Sequence, residues 1–148
     1  MKNRHAYLQA EEQINERIRN GCQSPFALFV LDVNNIKEVN DKQGHKAGDV
    51  FLQQASGIIC TVFPVGEAYR IGGDEFVAIL EGEEMGQQEA LLAKMQENNA
   101  KALSEGGIVI ACGMASFGQD TSLAEVFSRA DERMYENKSR LKEGKRQG

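Results

Sequence analysis

Six consecutive apolar residues, Phe26-Ala27-Leu28-Phe29-Val30-Leu31, follow Pro25 and stop at Asp32. A strand with one wet face alternates apolar and polar positions; an unbroken run of this length suits a strand buried on both faces. The fold must therefore cover a sheet from two sides. The chain has 148 residues, enough for one domain that buries about 70% of its unfolded surface without help from disulfides or a structural metal. With 41% hydrophobic residues, 15 Gly, 2 Pro and no low-complexity tract, collagen-like, coiled-coil and disordered architectures are excluded.

Around that strand the periodicity alternates. Residues 3–19 carry Tyr7, Leu8, Ile14 and Ile18 amid charges, a weakly amphipathic helix that Gly21 stops. A polar stretch from Val33 to Gly48 leads into Ala47, Val50, Phe51, Ala55, Ile58, Ile59 and Val62, a core-facing helix ending before Pro64. Residues 67–71 and 74–80 predict a hairpin whose Gly72-Gly73 turn supplies positive φ angles. Glu83 to Glu105 predicts a helix ended by Gly106-Gly107, and Ile108 to Phe117 a central strand. Ser122 is placed to cap a last helix with Leu123, Val126, Phe127, Ala130 and Met134 on its buried stripe. The order αβαββαβα predicts an α+β sandwich of the ferredoxin-like type, a mixed, largely antiparallel sheet covered by helices, as a single domain over residues 1–148.

No apolar run approaches the roughly 18 residues that span a bilayer, and Met1 to Ala10 is too polar for a signal peptide. The expectation is a soluble, cytoplasmic segment without membrane contact of its own. Cys22, Cys60 and Cys112 lack the CxxC spacing of a zinc or redox site and read as reduced, partly buried thiols. The net charge of -5 argues against nucleic-acid binding, which needs an excess of cations to displace phosphate counterions. Charge is uneven, however: Arg129 to Gly148 holds 7 basic and 4 acidic residues. Cations that complement the dipole of a terminal helix account for this as well as a ligand would.

Asp32 closes the buried strand at the edge of a sheet, where ligands are commonly bound. A carboxylate there serves either as a helix cap or as a metal ligand. Asp74 and Glu75 follow the Gly72-Gly73 turn, so the hairpin tip projects adjacent carboxylates, and Asp32 and Asp74 converge if the two strands are neighbours. Carboxylates that meet repel one another unless a cation sits between them, and hard oxygen ligands favour Mg²⁺ or Mn²⁺. Mg²⁺ takes its remaining ligands from water and substrate phosphate, which points to a nucleoside triphosphate. Lys37 lies just after Asp32, and Lys138 and Lys142 share one face of the last helix at i, i+4. Each of these lysines reads equally well as solvated.

Arg70-Ile71-Gly72-Gly73-Asp74-Glu75-Phe76 contains GGDEF, and at this point the chain resembles the bacterial diguanylate cyclase family. Leu31 to Asp41 resembles that family's D-x-D-x-F-K-x-x-N-D, Gly44 to Asp49 its G-H-x-x-G-D, and Ala130 to Lys138 its A-D-x-A-L-Y-x-A-K, in the same order and spacing. The likeness runs from about Asn3 to Lys142. It implies a fold like the palm of polymerases and adenylyl cyclases, and a nucleotidyltransferase that makes cyclic di-GMP from two GTP molecules at the interface of a homodimer. Carried over by position, Asp32, Asp74, Glu75 and the carbonyl of Val33 hold the metal, with Asp74 and Glu75 also catalytic. Backbone N–H groups of Asn34, Asn35, Ile36 and Lys37 cradle the phosphates, Lys37, Lys138 and Lys142 neutralise them, and Asn40 and Asp49 read guanine. On its residues alone Asp49 reads instead as an exposed carboxylate at a helix start.

The chain departs from the pattern in several places. Asn34 replaces the second Asp of D-x-D, Ile36 replaces Phe, and Leu141-Lys142 stands where many members have Gly-Arg. The family's product-inhibition motif falls on Phe63-Pro64-Val65-Gly66, which carries none of its charges; no feedback inhibition through it is expected. The family's D-x-L-T-G-L segment does not precede Lys2-Asn3-Arg4, so the resemblance implies a catalytic portion of a longer protein with an upstream sensory or regulatory domain and a possible membrane anchor. The competing expectations are a catalytically silent module that binds GTP or engages a regulatory partner, and a purely structural dimerisation domain.

Overall fold

A computed structural model describes residues 1–64 and 66–147, with side chains as far as Glu143. Five helices and four strands follow one another as α1 (Arg4–Arg19), β1 (Phe26–Val33), α2 (Ile36–Gln43), α3 (His45–Val62), β2 (Ala68–Arg70), β3 (Glu75–Glu81), α4 (Gln88–Glu105), β4 (Ile110–Ser116) and α5 (Leu123–Gln147), with a 3₁₀ turn over Gly82–Gln87 before α4. The strands form one antiparallel sheet in the order β2-β3-β1-β4. Among the described residues the one parallel pairing is an isolated bridge between Lys2 and Tyr69.

β1 is buried along its whole length, as its unbroken apolar run requires. Ala27, Phe29, Leu31 and Val33 face α3 and α4 through Leu52, Ala55, Ile59, Leu91 and Met95. Phe26, Leu28 and Val30 face α1 and α5 through Tyr7, Ile14, Leu123, Val126, Ala130 and Met134. This two-sided sandwich is the α+β, ferredoxin-like arrangement expected from the sequence.

Several local expectations need correction. The stretch from Val33 to Gly48 contains a helix of its own, α2, entered through Asn35 in the left-handed region (φ 66°). Val50 is 52% exposed instead of facing the core, and Leu8 on α1 is likewise exposed. The Gly72-Gly73 hairpin forms, but neither glycine has a positive φ. The Arg70 guanidinium holds that loop instead, donating to Gly72 O (3.2 Å) and Gly73 O (2.8 Å). The strand over Ile108–Phe117 lies at the sheet edge, not its centre.

That edge is sealed by side chains. Asn99 brackets Ile110, its Nδ2 donating to the carbonyl (2.7 Å) and its Oδ1 accepting from the N–H (2.9 Å). Asn137 Oδ1 accepts from Cys112 N–H (3.0 Å), and Arg133 and Arg129 donate to the carbonyls of Met114 and Ser116. Satisfying the outer ladder this way removes an exposed template for strand pairing. α5 reaches β4 closely only because position 113 is glycine: a Cβ there would lie 2.2 Å from Ala130 O and Met134 N.

Candidate active site

β1 and β3 are neighbours, and their register pairs Asp32 with Glu75. The Val33 N–H donates to Asp74 O (3.0 Å), which carries the ladder one step further and fixes Asp74 beside the end of β1. The convergence of Asp32 and Asp74 foreseen from the sequence is therefore present. Asp32 is 8% exposed and caps no helix, since Asn35 occupies the cap position of α2. Its Oδ2 accepts from Lys138 Nζ at 3.0 Å, whereas its Oδ1 is buried without a partner.

The electrostatics are those of a site short of positive charge. Burial pushes the Asp32 carboxyl above the ordinary carboxylate range, the Lys138 hydrogen bond opposes this, and the neighbouring Asp74 reinforces it. Glu75 is raised by burial and then by Asp131, Asp32 and Asp74, and Asp131 by burial.

Beside this pair opens a cleft of about 520 Å³ between the β1–α2 turn and α5. Val33, Asn34, Asn35, Ile36, Lys37, Asp74, Lys138 and Lys142 line it, so the sequence-derived phosphate residues meet there with two of the expected metal residues, Val33 and Asp74, while Asp32 lies behind Lys138. The cradle needs one correction: the Asn34 N–H is committed to Val109 O (2.9 Å) and is not free for a phosphate. The groups that remain are Asn35 and the first turn of α2, whose N–H groups have no intrahelical partner. Glu38, Asp41 and Lys42 also line the cleft; sequence reasoning passed over them because the stretch carries no apolar periodicity to reveal a helix. The Lys42 ammonium pairs with Glu38 at 2.7 Å.

Glu75 lines a different groove, between α1 and α5, with Tyr7, Leu8 and Phe127. Asn40 and Asp49 are not among the residues that line the cleft. α2 and α3 bring them near each other instead: the Asn40 amide packs so tightly on Gly48 that a Cβ there would lie 1.7 Å from Asn40 Oδ1. Gly48 is thus the small residue that lets the Asn40 side chain pack onto α3 one position before Asp49. Asp49 is exposed. In the segment aligned with the inhibition motif, Phe63 is buried against Phe29, ring centroids 4.9 Å apart, and Val65 lies outside the described residues. The side chains of Lys145 and Arg146, part of the basic C-terminal charge, lie outside them as well.

Among the described residues no group of three His, Cys, Asp or Glu side chains stands ready to enclose a metal ion. The donor set nevertheless fits Mg²⁺ or Mn²⁺. Asp32 and Asp74 supply two carboxylates, Asp32 Oδ1 is an orphaned buried oxygen, and these ions need only one or two protein carboxylates when water and phosphate complete the shell.

A carboxylate pair with one buried member at the end of a central strand, a lysine-lined cleft and a palm-like sandwich define a nucleotidyltransferase-type cyclase domain. The chain belongs to the diguanylate cyclase GGDEF domain family, which it matches over residues 1–144. It is 32% identical over 141 residues to diguanylate cyclase DgcS of Shewanella oneidensis, covering 93% of this chain and 47% of that protein. It is 31% identical to DgcZ of Escherichia coli, covering 86% of this chain and 45% of the relative. The chain thus spans about half the length of these relatives or less. Among solved structures, the GGDEF domain of DgcB from Caulobacter crescentus in complex with c-di-GMP superposes with a TM-score of 0.73 at 26% identity, covering 93% of this chain and 85% of that one. A second GGDEF domain, described with cyclic di-GMP, gives a TM-score of 0.67 at 32% identity, over 92% of this chain and 86% of that one.

Proposed function

We propose that this chain condenses two molecules of GTP into cyclic di-GMP with release of two pyrophosphates, in a Mg²⁺- or Mn²⁺-dependent reaction where two copies meet. The observation that carries the proposal is the juxtaposition of Asp32 and Asp74 beside a cleft lined by Lys37, Lys138 and Lys142. The triphosphate lies in that cleft, its oxygens facing the N–H groups of Asn35, Ile36 and Lys37 and the three ammonium groups. Asp32, Asp74 and the carbonyl of Val33 hold the cation, and Glu75 assists from the neighbouring register position. When bound, the cation lowers the pKa of the 3'-hydroxyl and offsets charge on the transferred phosphoryl group.

Each 3'-oxygen forms a bond to the α-phosphorus of the other copy's GTP. The bond from that phosphorus to the α–β bridging oxygen breaks, pyrophosphate leaves with the electron pair, and the hydroxyl proton passes to Asp74, Glu75 or solvent. One site holds one nucleotide, so two sites must face each other. Asp49 and Asn40 read the base: a carboxylate accepts from guanine N1–H and the 2-amino group, which adenine lacks, and ATP would leave that charge unpaired.

The test is incubation of the chain at high concentration with GTP and Mg²⁺, chromatographic separation of the nucleotides, and an Asp74→Asn control. Cyclic di-GMP from the native chain alone supports the proposal. No product, even with two copies joined through a fused coiled coil, alongside metal-dependent GTP binding would identify a silent GTP-binding module.

A further inference from the structure

Two side-chain oxygens among the described residues are buried without a hydrogen-bond partner: Asp32 Oδ1 and Asn34 Oδ1. Their coincidence follows from the strand. Val33 N–H to Asp74 O ends the β1 ladder on the β3 side, and Asn34 N–H to Val109 O fixes the first residue past β1 on the β4 side. Asn34 stands in the turn that leaves β1, two positions after Asp32, and shares its cleft with Asp74 and with Lys138, the partner of Asp32. Asn34 is 7% exposed and lines the phosphate cleft. A buried amide oxygen with no donor is costly and rare unless an ion or water meets it. The nearby ammonium of Lys138 is already engaged by Asp32 Oδ2.

We infer that Asn34 Oδ1 is a neutral oxygen ligand, direct or through one water, of the same divalent cation that Asp32 holds, and that it sets the affinity for that cation. The inference rests on the cyclase reading of the site. Two unpartnered acceptor oxygens at the end of one strand, one charged and one neutral, suit an ion that prefers carboxylate, carbonyl and water oxygens. The neutral amide adds a ligand without adding to the repulsion between Asp32 and Asp74.

The test uses the full chain and Mn²⁺ alone, with free Mn²⁺ followed by electron paramagnetic resonance and thermal unfolding recorded with and without the ion. Asn34→Leu preserves volume and removes the oxygen. It is expected to weaken Mn²⁺ binding at least about tenfold, to leave the metal-free Tm unchanged or raised because an unpaired buried amide is gone, and to lose the Mn²⁺-induced rise in Tm. Asn34→Asp retains or tightens binding; should the leucine variant not fold, Asn34→Ala takes its place. Wild-type Mn²⁺ affinity in the variants lacking the oxygen, or an equal fall in Tm with and without Mn²⁺, would overturn the inference. If Asp32→Asn abolishes Mn²⁺ binding while Asn34→Leu does not, this inference alone fails. If the native chain binds no Mn²⁺ at millimolar concentration, the metal-dependent reading fails with it.

Discussion

The Lys138 ammonium on α5 lies 3.0 Å from Asp32 Oδ2 at the end of β1, joining residues 106 positions apart in the chain. Their side chains are 26% and 12% exposed, so this is a partly buried pair and not a surface ion pair. Removing the lysine leaves Asp32 with no cation and with Asp74 beside it. Lys138→Met is expected to lower stability at neutral pH by about 1–3 kcal/mol, because an uncompensated buried charge costs more than the pair contributes. Lys138→Arg should recover part of the loss. Urea unfolding measures both, and an unchanged midpoint for the methionine variant would show that the pair contributes nothing to the fold.

The position of α5 depends on a glycine that no functional motif explains. Gly113 allows the backbone of α5 to lie directly on β4, a contact invisible to pattern reading because a glycine in a strand carries no apolar signal. Most of the layering was legible: the β1 run, the α5 stripe and the two flanking helices were read from periodicity alone. α2 escaped notice since it has only Ile36 and Val39 on an otherwise polar surface. The edge position of β4 was misread because its helices and the Asn99 and Asn137 amides cover it as fully as a central strand. Asp32 and Asp74 could be paired from sequence because strand adjacency is a coarse property of topology. The loss of the Asn34 N–H to Val109 is a matter of register, which sequence pattern does not resolve.

Gly48 tests the base-reading assignment without touching Asn40 or Asp49 themselves. In Gly48→Ala the new methyl group would collide with the end of the Asn40 side chain, a flexible group that can swing away. Alanine also gains about 1 kcal/mol of helix propensity over glycine, so the fold should persist. The displaced amide should raise the KM for GTP with a smaller change in kcat, as expected when ground-state binding is lost. Steady-state kinetics on a folded variant decides this; an unchanged KM would remove Asn40 from the recognition of the base.

Asp120 and Arg129 give the chain an acid-side dependence away from the cleft. Arg129 Nη2 donates to Asp120 Oδ2 at 3.0 Å, and Nη1 to Oδ1. This pairing holds the Asp120 carboxyl below its ordinary value of 3.8. The folded state therefore binds this proton less readily than the unfolded chain, so the pair stabilises above the unfolded pKa and the contribution disappears as the pH falls through the folded one. Asp120→Asn should be less stable than the native protein at neutral pH, with the difference closing as the pH drops below 3.8. Urea midpoints across that range are the measurement, and a difference independent of pH would assign the effect to shape and not to charge.

The three thiols should separate by reactivity. Cys22 and Cys60 are exposed and Cys112 is buried, so the expectation of partly buried thiols holds for Cys112 alone. Burial pushes the Cys112 thiol up to about 12, and alkylating reagents attack the thiolate, which is then almost absent at neutral pH. Iodoacetamide at neutral pH should modify Cys22 and Cys60 in the folded chain and reach Cys112 only in denaturant, as read by mass spectrometry of the digested protein. Because the Cys112 side chain packs in the core under α3 and α4, with Ile110 and Met95, its labelling rate in the native state also reports how often those helices lift from the sheet. Cys112 labelling as fast as Cys22 would mean that α3 and α4 are not held against β4.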